Sequence, residues 1–134
     1  LTILYKNLII IWRKLVKILS ATSGSAPAKK RADYIISLAE RLKAELVVLH
    51  VINKQDDYSD GEKALDIFRF KDKGGFIKTI FRIGNIPDTI ASTAEEEKVD
   101  FIIIGFEGGL DSLNNICKGI SRFTSIPILL IPDI

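Results

Sequence analysis

The stretch from Leu15 to Ser25, LVKILSATSGS, constrains this chain more than any other. A run of aliphatic and β-branched residues (Leu15, Val16, Ile18, Leu19) stops abruptly at small and hydroxyl side chains. Pro27 follows, and then a charged segment with helical spacing begins. A buried parallel strand hands over to a helix in this way. The bulk serves the sheet, Gly24 serves a tight turn, Ser25 serves as N-cap, and Pro27 falls in the first helical turn, where a missing N–H costs nothing. In a doubly wound α/β domain that turn lies at the carboxyl edge of the sheet, where ligands bind. The segment therefore predicts the central strand and the floor of a site.

The rest of the chain repeats the alternation. Further strands are expected at Leu46–Ile52, Phe76–Ile83, Asp100–Gly105 and Ile126–Ile131. Lys78 and Arg82 interrupt the second of these, as befits a strand nearer an edge. The run DFIIIG at Asp100–Gly105 is the purest buried strand of the set. Between the strands lie four helical segments. Over Ala26–Ala44 the apolar positions Ala28, Ala32, Ile35, Ala39 and Leu42 share one face, and Lys29, Lys30, Arg31, Glu40 and Arg41 take others. The basic trio Lys29–Arg31 reads as a solvated surface. A second helix is expected over Gly61–Lys73, capped by Asp60 and stopped by Gly74 and Gly75. A third opens at Gly84-Asn85-Ile86-Pro87, an echo of Gly24-Ser25-Ala26-Pro27, and runs to about Lys98 with Ile86, Ile90 and Ala94 inward. A fourth spans Asp111–Thr124. The order βαβαβαβαβ argues for one parallel sheet with helices on both faces.

A chain of 134 residues suits one domain, and 47% hydrophobic content supplies its core. With 19 basic and 17 acidic residues, the formal charge of +2 gives no reason to expect nucleic acid or a membrane as partner. Cys117 is the sole cysteine, which fits a reducing cytoplasm. No base stands near it in sequence, because the one histidine, His50, lies in an apolar run and reads as structural. Asp56, Asp57 and Asp60 crowd one loop, but the spacing and closing Glu of a calcium loop are missing. No metal is expected beyond magnesium carried by a nucleotide. The opening LTILYKNLIIIW is too short for a transmembrane helix and lacks the features of a signal peptide. It is set apart as an arm, residues 1–12, ahead of a domain over 13–134.

Two stretches resemble a known family. ILSATSGSAPAKKRADYIISLAERLKAELVVLHVI is similar to the opening of universal stress proteins, with a T-D-G-S-like turn and an L-x-H-V strand. RIGNIPDTIASTAEEEKVDFIIIG is similar to that family's G-x-P-helix-D-L-I-V-x-G section. The resemblance implies a Rossmann-like sheet, of the adenine nucleotide alpha hydrolase-like type, with five strands ordered 3-2-1-4-5. It also implies a homodimer, here expected through Ile128–Ile131, an apolar edge strand flanked by Pro127 and Pro132. One branch of the family binds ATP through the acid of the first turn, the end of strand two and a G-x2-G-x9-G-[S/T] motif. Carried over, Thr22, Ser23 and Gly24 form the first turn, with Ser23 in the acid's place. Val51 ends strand two, and Gly105 and Gly108, with Gly109 beside them, begin the phosphate loop. The third glycine departs from the pattern. Gly119 falls one position late and is followed by Ile120, while counting back from Pro127 puts Asn114-Asn115 there. The implied cofactor, ATP or AMP, is therefore expected to bind weakly or not at all.

The function implied is a stress-response regulator with a degenerate adenine-nucleotide site. The alternative is a dimeric interaction module of the same fold that does not bind ATP. An adenylating-type enzyme ranks last. Ser23-Gly24-Ser25 resembles an S-G-G loop only in part, and no nucleophile–base pair stands in the sequence.

Overall fold

The computed structural model describes residues 15–23, 26–53, 58–105 and 110–131. The arm Leu1–Trp12, the turn residues Gly24 and Ser25, and the loop residues Gly108 and Gly109 lie outside the described residues. Among the described residues nine elements alternate as expected: β1 Lys17–Ala21, α1 Ala26–Leu42, β2 Glu45–Ile52, α2 Tyr58–Lys71, β3 Ile77–Ile83, α3 Ile86–Glu97, β4 Phe101–Gly105, α4 Leu110–Ser121 and β5 Ile128–Ile131. All strand pairs are parallel, in the order β3-β2-β1-β4-β5.

Side-chain alternation along the strands sends alternate residues into two cores. Ile18, Leu46, Val48 and Ile103 meet Ala32, Ile35 and Ala39 of α1 and Leu65 and Phe68 of α2. Leu19, Val47, Leu49, Ile102 and Ile104 meet Ile90, Ala91 and Ala94 of α3 and Ile120 of α4. Strand β4 is a continuous apolar run, and β1 buries Ile18, Leu19 and Ser20, because both faces of these strands are covered. The edge strand β3 is half-buried along most of its length, which is why its sequence alternates with charge.

Local chemistry sets the ends of the elements. Asn85 caps α3, its side chain accepting from the Asp88 N–H at 3.1 Å, with a proline in the first turn. Lys43 closes α1 with a φ of 52°, and the Ala44 N–H returns to the Ala39 carbonyl. Several expectations need correction. Asp60 does not cap α2 but lies within it, because the helix begins at Tyr58 and ends at Lys71. Leu42 and Ile86, expected inward, are 44% and 40% exposed. Each sits in a terminal turn of its helix. The largest change concerns Arg31, expected on the solvated surface of α1 but found buried.

Candidate functional site at the carboxyl edge

The chain leaves β1 toward β2 and leaves β4 toward β5, so the strand order reverses between β1 and β4. In open α/β sheets the crevice outside the carboxyl ends of such strands is where ligands bind. Register places the residues there. Ala21 pairs with Leu49 on one side and Ile104 on the other. One residue further on, Thr22 stands between His50 and Gly105. The row continues outward to Phe81, paired with His50, and to Ile131, paired with Gly105. The side chains of this row point to the α1/α2 face.

His50 fixes the end of β1. It is buried, and its Nδ1 is 2.7 Å from the Thr22 carbonyl. A carbonyl only accepts, so Nδ1 carries the proton and donates. The Thr22 N–H in turn donates to the Leu49 carbonyl at 2.9 Å. Both backbone groups of Thr22 are thus engaged across to β2. The expectation of a structural histidine fits this geometry. The His50 and Phe81 rings lie tilted with centroids 5.9 Å apart. Gly61 of α2 closes over them, where a Cβ would come to 2.0 Å from Phe81 Cε2 and 2.9 Å from His50 Cδ2.

Arg31 occupies the other half of the row. Positions 28, 31, 32, 35 and 39 make one stripe of α1, and Arg31 is the only charged member. It is 5% exposed. Its guanidinium lies where a Gly105 side chain would be, since a Cβ there would stand 2.3 Å from Nε and 2.6 Å from Nη2. Gly105 is therefore bare because Arg31 fills its space. One row below, the buried Ser20 Oγ has no hydrogen-bond partner among the described residues.

The expected site residues thus divide. Thr22 and Gly105 share a row, and Ser23 follows, exposed, at the end of β1. Val51 is half-buried and packs into the opposite core, against α3 and α4. Gly24, Gly108 and Gly109 fall outside the described residues. Gly119 has a packing role instead. It lies inside α4, and a Cβ there would stand 2.5 Å from Pro87 Cβ of α3, while its neighbour Ile120 is fully buried. The shifted glycine serves the contact between two helices. Arg31 was missed, although its spacing of three from Ala28 and four from Ile35 signalled a buried position.

Burial pushes the Cys117 thiol up from its ordinary range, which makes it a poor nucleophile at neutral pH. Among the described residues, no group of three His, Cys, Asp or Glu side chains could hold a metal ion, and no helix is long and apolar enough to cross a membrane. A cavity of about 540 Å³ lies at the other end of the sheet, lined by residues such as Leu15, Ile36, Ala39, Phe76 and Ile77. It is apolar and shares no residue with the carboxyl-edge row.

The fold is that of a doubly wound, Rossmann-like α/β domain whose strand order reverses between β1 and β4. The universal stress protein family matches the chain over residues 15–132, and the chain belongs to that family. Several solved structures share the fold. A universal stress protein in complex with cAMP is 18% identical, with a TM-score of 0.66 over 87% of this chain and 95% of that one. The universal stress protein UspA from Lactobacillus plantarum is 17% identical, with a TM-score of 0.68 over 88% and 98%. A family member from Arabidopsis thaliana with AMP bound is 16% identical, with a TM-score of 0.65 over 89% and 92%. No curated protein sequence matches the chain.

Proposed function

We propose that this chain is a cytoplasmic stress-response regulator that binds an adenine nucleotide at the carboxyl edge of β1, β2 and β4. The observation that carries this reading is the meeting of Thr22, Ser23 and Gly105 at the point where the strand order reverses. Structural neighbours crystallised with cAMP and with AMP support the choice of adenine nucleotide. Ser23 in the acid's place weakens the site. A hydroxyl forgoes charge-assisted hydrogen bonds worth about 1–2 kcal/mol, or roughly tenfold in affinity. Calorimetry tests the reading, together with mass spectrometry of small molecules released from freshly purified, heat-denatured protein. The expected result is an adenine nucleotide in the released fraction and AMP or ATP binding weaker than micromolar. A chain that releases none and takes up none at millimolar concentration would overturn it.

A second reading rests on a separate observation. Leu129 and Leu130 are each 43% exposed on β5, which is an edge strand among the described residues. Soluble proteins cover or pair such edges, so β5 is the surface through which a homodimer would form. Sedimentation of Leu130→Lys should show a monomer where the unmodified chain is a dimer. A unmodified chain that sediments as a monomer at micromolar concentration removes this reading and leaves the first intact.

A further inference from the structure

The amino-edge cavity of about 540 Å³ has no part in the nucleotide reading. Its walls include Ile36 and Ala39 of α1, Leu46 at the start of β2, and Phe76 and Ile77 leading into β3. Leu15 lines it as well. Two of these side chains are bare for their size: Leu15 is 58% exposed and Phe76 66%. Apolar side chains scattered singly over a surface are ordinary. Grouped around a cavity, they mark a surface that something covers.

Charge does not select a small ionic ligand there. Lys71 is paired with Asp33, and Asp72 accepts from the Phe76 and Ile77 N–H groups. That leaves Glu40 and Glu45 to balance Lys43 and Lys73 in the lining. The walls call for apolar bulk instead.

The chain itself brings that bulk to the cavity. The Val16 carbonyl accepts from the Glu45 N–H at 2.8 Å, and the Lys17 N–H donates to Asp100 at 2.8 Å, which pins the entry into β1. Leu15 lines the cavity immediately before that point, so the residues preceding it start at the cavity wall. Of residues 1–12, LTILYKNLIIIW, only Thr2, Lys6 and Asn7 fall outside the apolar and aromatic types. Trp12 is three positions from Leu15, a chain reach of about 10 Å. The whole run reaches about 18 Å as a helix and about 40 Å extended, enough to cover the opening. Tethered through so short a link, it acts at high effective concentration with little loop-closure cost.

We propose that residues 1–12 of this same chain occupy the amino-edge cavity, with Trp12 as the anchor. The cavity is then a socket for the chain's own arm rather than a pocket for a free ligand.

Trp12 is the only tryptophan, so its fluorescence in the full chain reads the arm directly. Its emission should lie to the blue of the urea-unfolded chain, and acrylamide should quench it several-fold less. Phe76→Asp puts a charge at an exposed position of the lining and should return both readings toward the unfolded values. Leu15→Asp does the same at a second exposed position, should Phe76→Asp fail to fold by circular dichroism. Nuclear Overhauser contacts from the Trp12 indole to the Ile36 or Ile77 methyls should appear in the unmodified chain and vanish in the variant. A Trp12 as open to quencher in the folded chain as in urea overturns the proposal. So does a protected Trp12 that neither variant exposes, because the arm then lies elsewhere. Protection that is unchanged on dilution supports a cover formed within one chain. Protection lost on dilution, together with a dimer in sedimentation, assigns the cavity to a second copy's arm and overturns it.

Discussion

At the amino edge of the sheet, Glu97 lies 2.7 Å from Lys78 and 3.9 Å from Lys17, joining α3 to β3 and β1. The Lys17 N–H donates to Asp100 at 2.8 Å, and Asp72 accepts from the Phe76 and Ile77 N–H groups at 3.1 and 3.2 Å. Charge at that end meets opposite charge or a backbone donor, mostly in reach of water. At the carboxyl edge the charged group is Arg31, buried on an otherwise apolar stripe, with His50 tied to backbone beside it. The amino edge is fastened with inexpensive surface contacts. The carboxyl edge instead buries its cation, Arg31, against Gly105. Proteins depart from local rules of this kind chiefly at functional sites, and the contrast makes the carboxyl edge the end to test.

The largest effect should come from crowding the carboxyl edge. Gly61→Leu would drive a side chain into the Phe81 and His50 rings, and overpacking of this sort costs about 1–3 kcal/mol or more. Urea denaturation should show a clear fall in midpoint. Next, His50→Leu removes the donor to the Thr22 carbonyl. Losing the donor to this part-buried acceptor costs about 1 kcal/mol, and the end of β1 should loosen, visible as faster amide exchange near Ala21.

The smallest effect belongs to the amino edge. The hydrogen bond from Lys78, aided by Lys17, holds the Glu97 carboxyl below its ordinary value of 4.5. A depressed carboxylate contributes stability that is present above its unfolded pKa and lost as pH falls through the folded one. Glu97→Gln should therefore be less stable than the unmodified chain at neutral pH and should converge with it in acid. The difference should stay below about 1 kcal/mol, because Lys78 is largely exposed. Thermal melts between neutral pH and pH 3 would show whether the two curves meet. A gap that persists in acid would mean that Glu97 acts by packing rather than by charge.

The contrast between the edges also marks what the sequence made legible. Strand β4 was readable because burial on both faces leaves an unbroken apolar run, and β1 because its aliphatic residues stop abruptly at a small-residue turn. The cap at Asn85 and a stop near Gly74-Gly75 followed from turn chemistry that acts over a few residues, although α2 ends at Lys71 rather than at the expected Lys73. Arg31 was hidden by its company, since Lys29-Lys30-Arg31 reads as one basic block although a helix turns each residue to a different side. Gly119 misled for a related reason. A glycine that lets two helices approach looks, in one dimension, like a glycine that admits a phosphate. Its partner Pro87 is remote in sequence, and the contact exists only once α3 and α4 pack together. Val51 was correctly placed at the end of β2, but the pleat turned it away from Thr22 and Gly105.

The central claim is that ligand meets the carboxyl edge between β1 and β4, and amide chemical-shift mapping during an AMP titration tests it most directly. The account predicts that the perturbed resonances belong to Thr22, Ser23, Arg31 (including its Nε–H) and Gly105, while Ala39, Leu46 and Ile77 around the amino-edge cavity stay still. Shifts confined to the cavity residues, with the Thr22–Gly105 row unmoved, would contradict it.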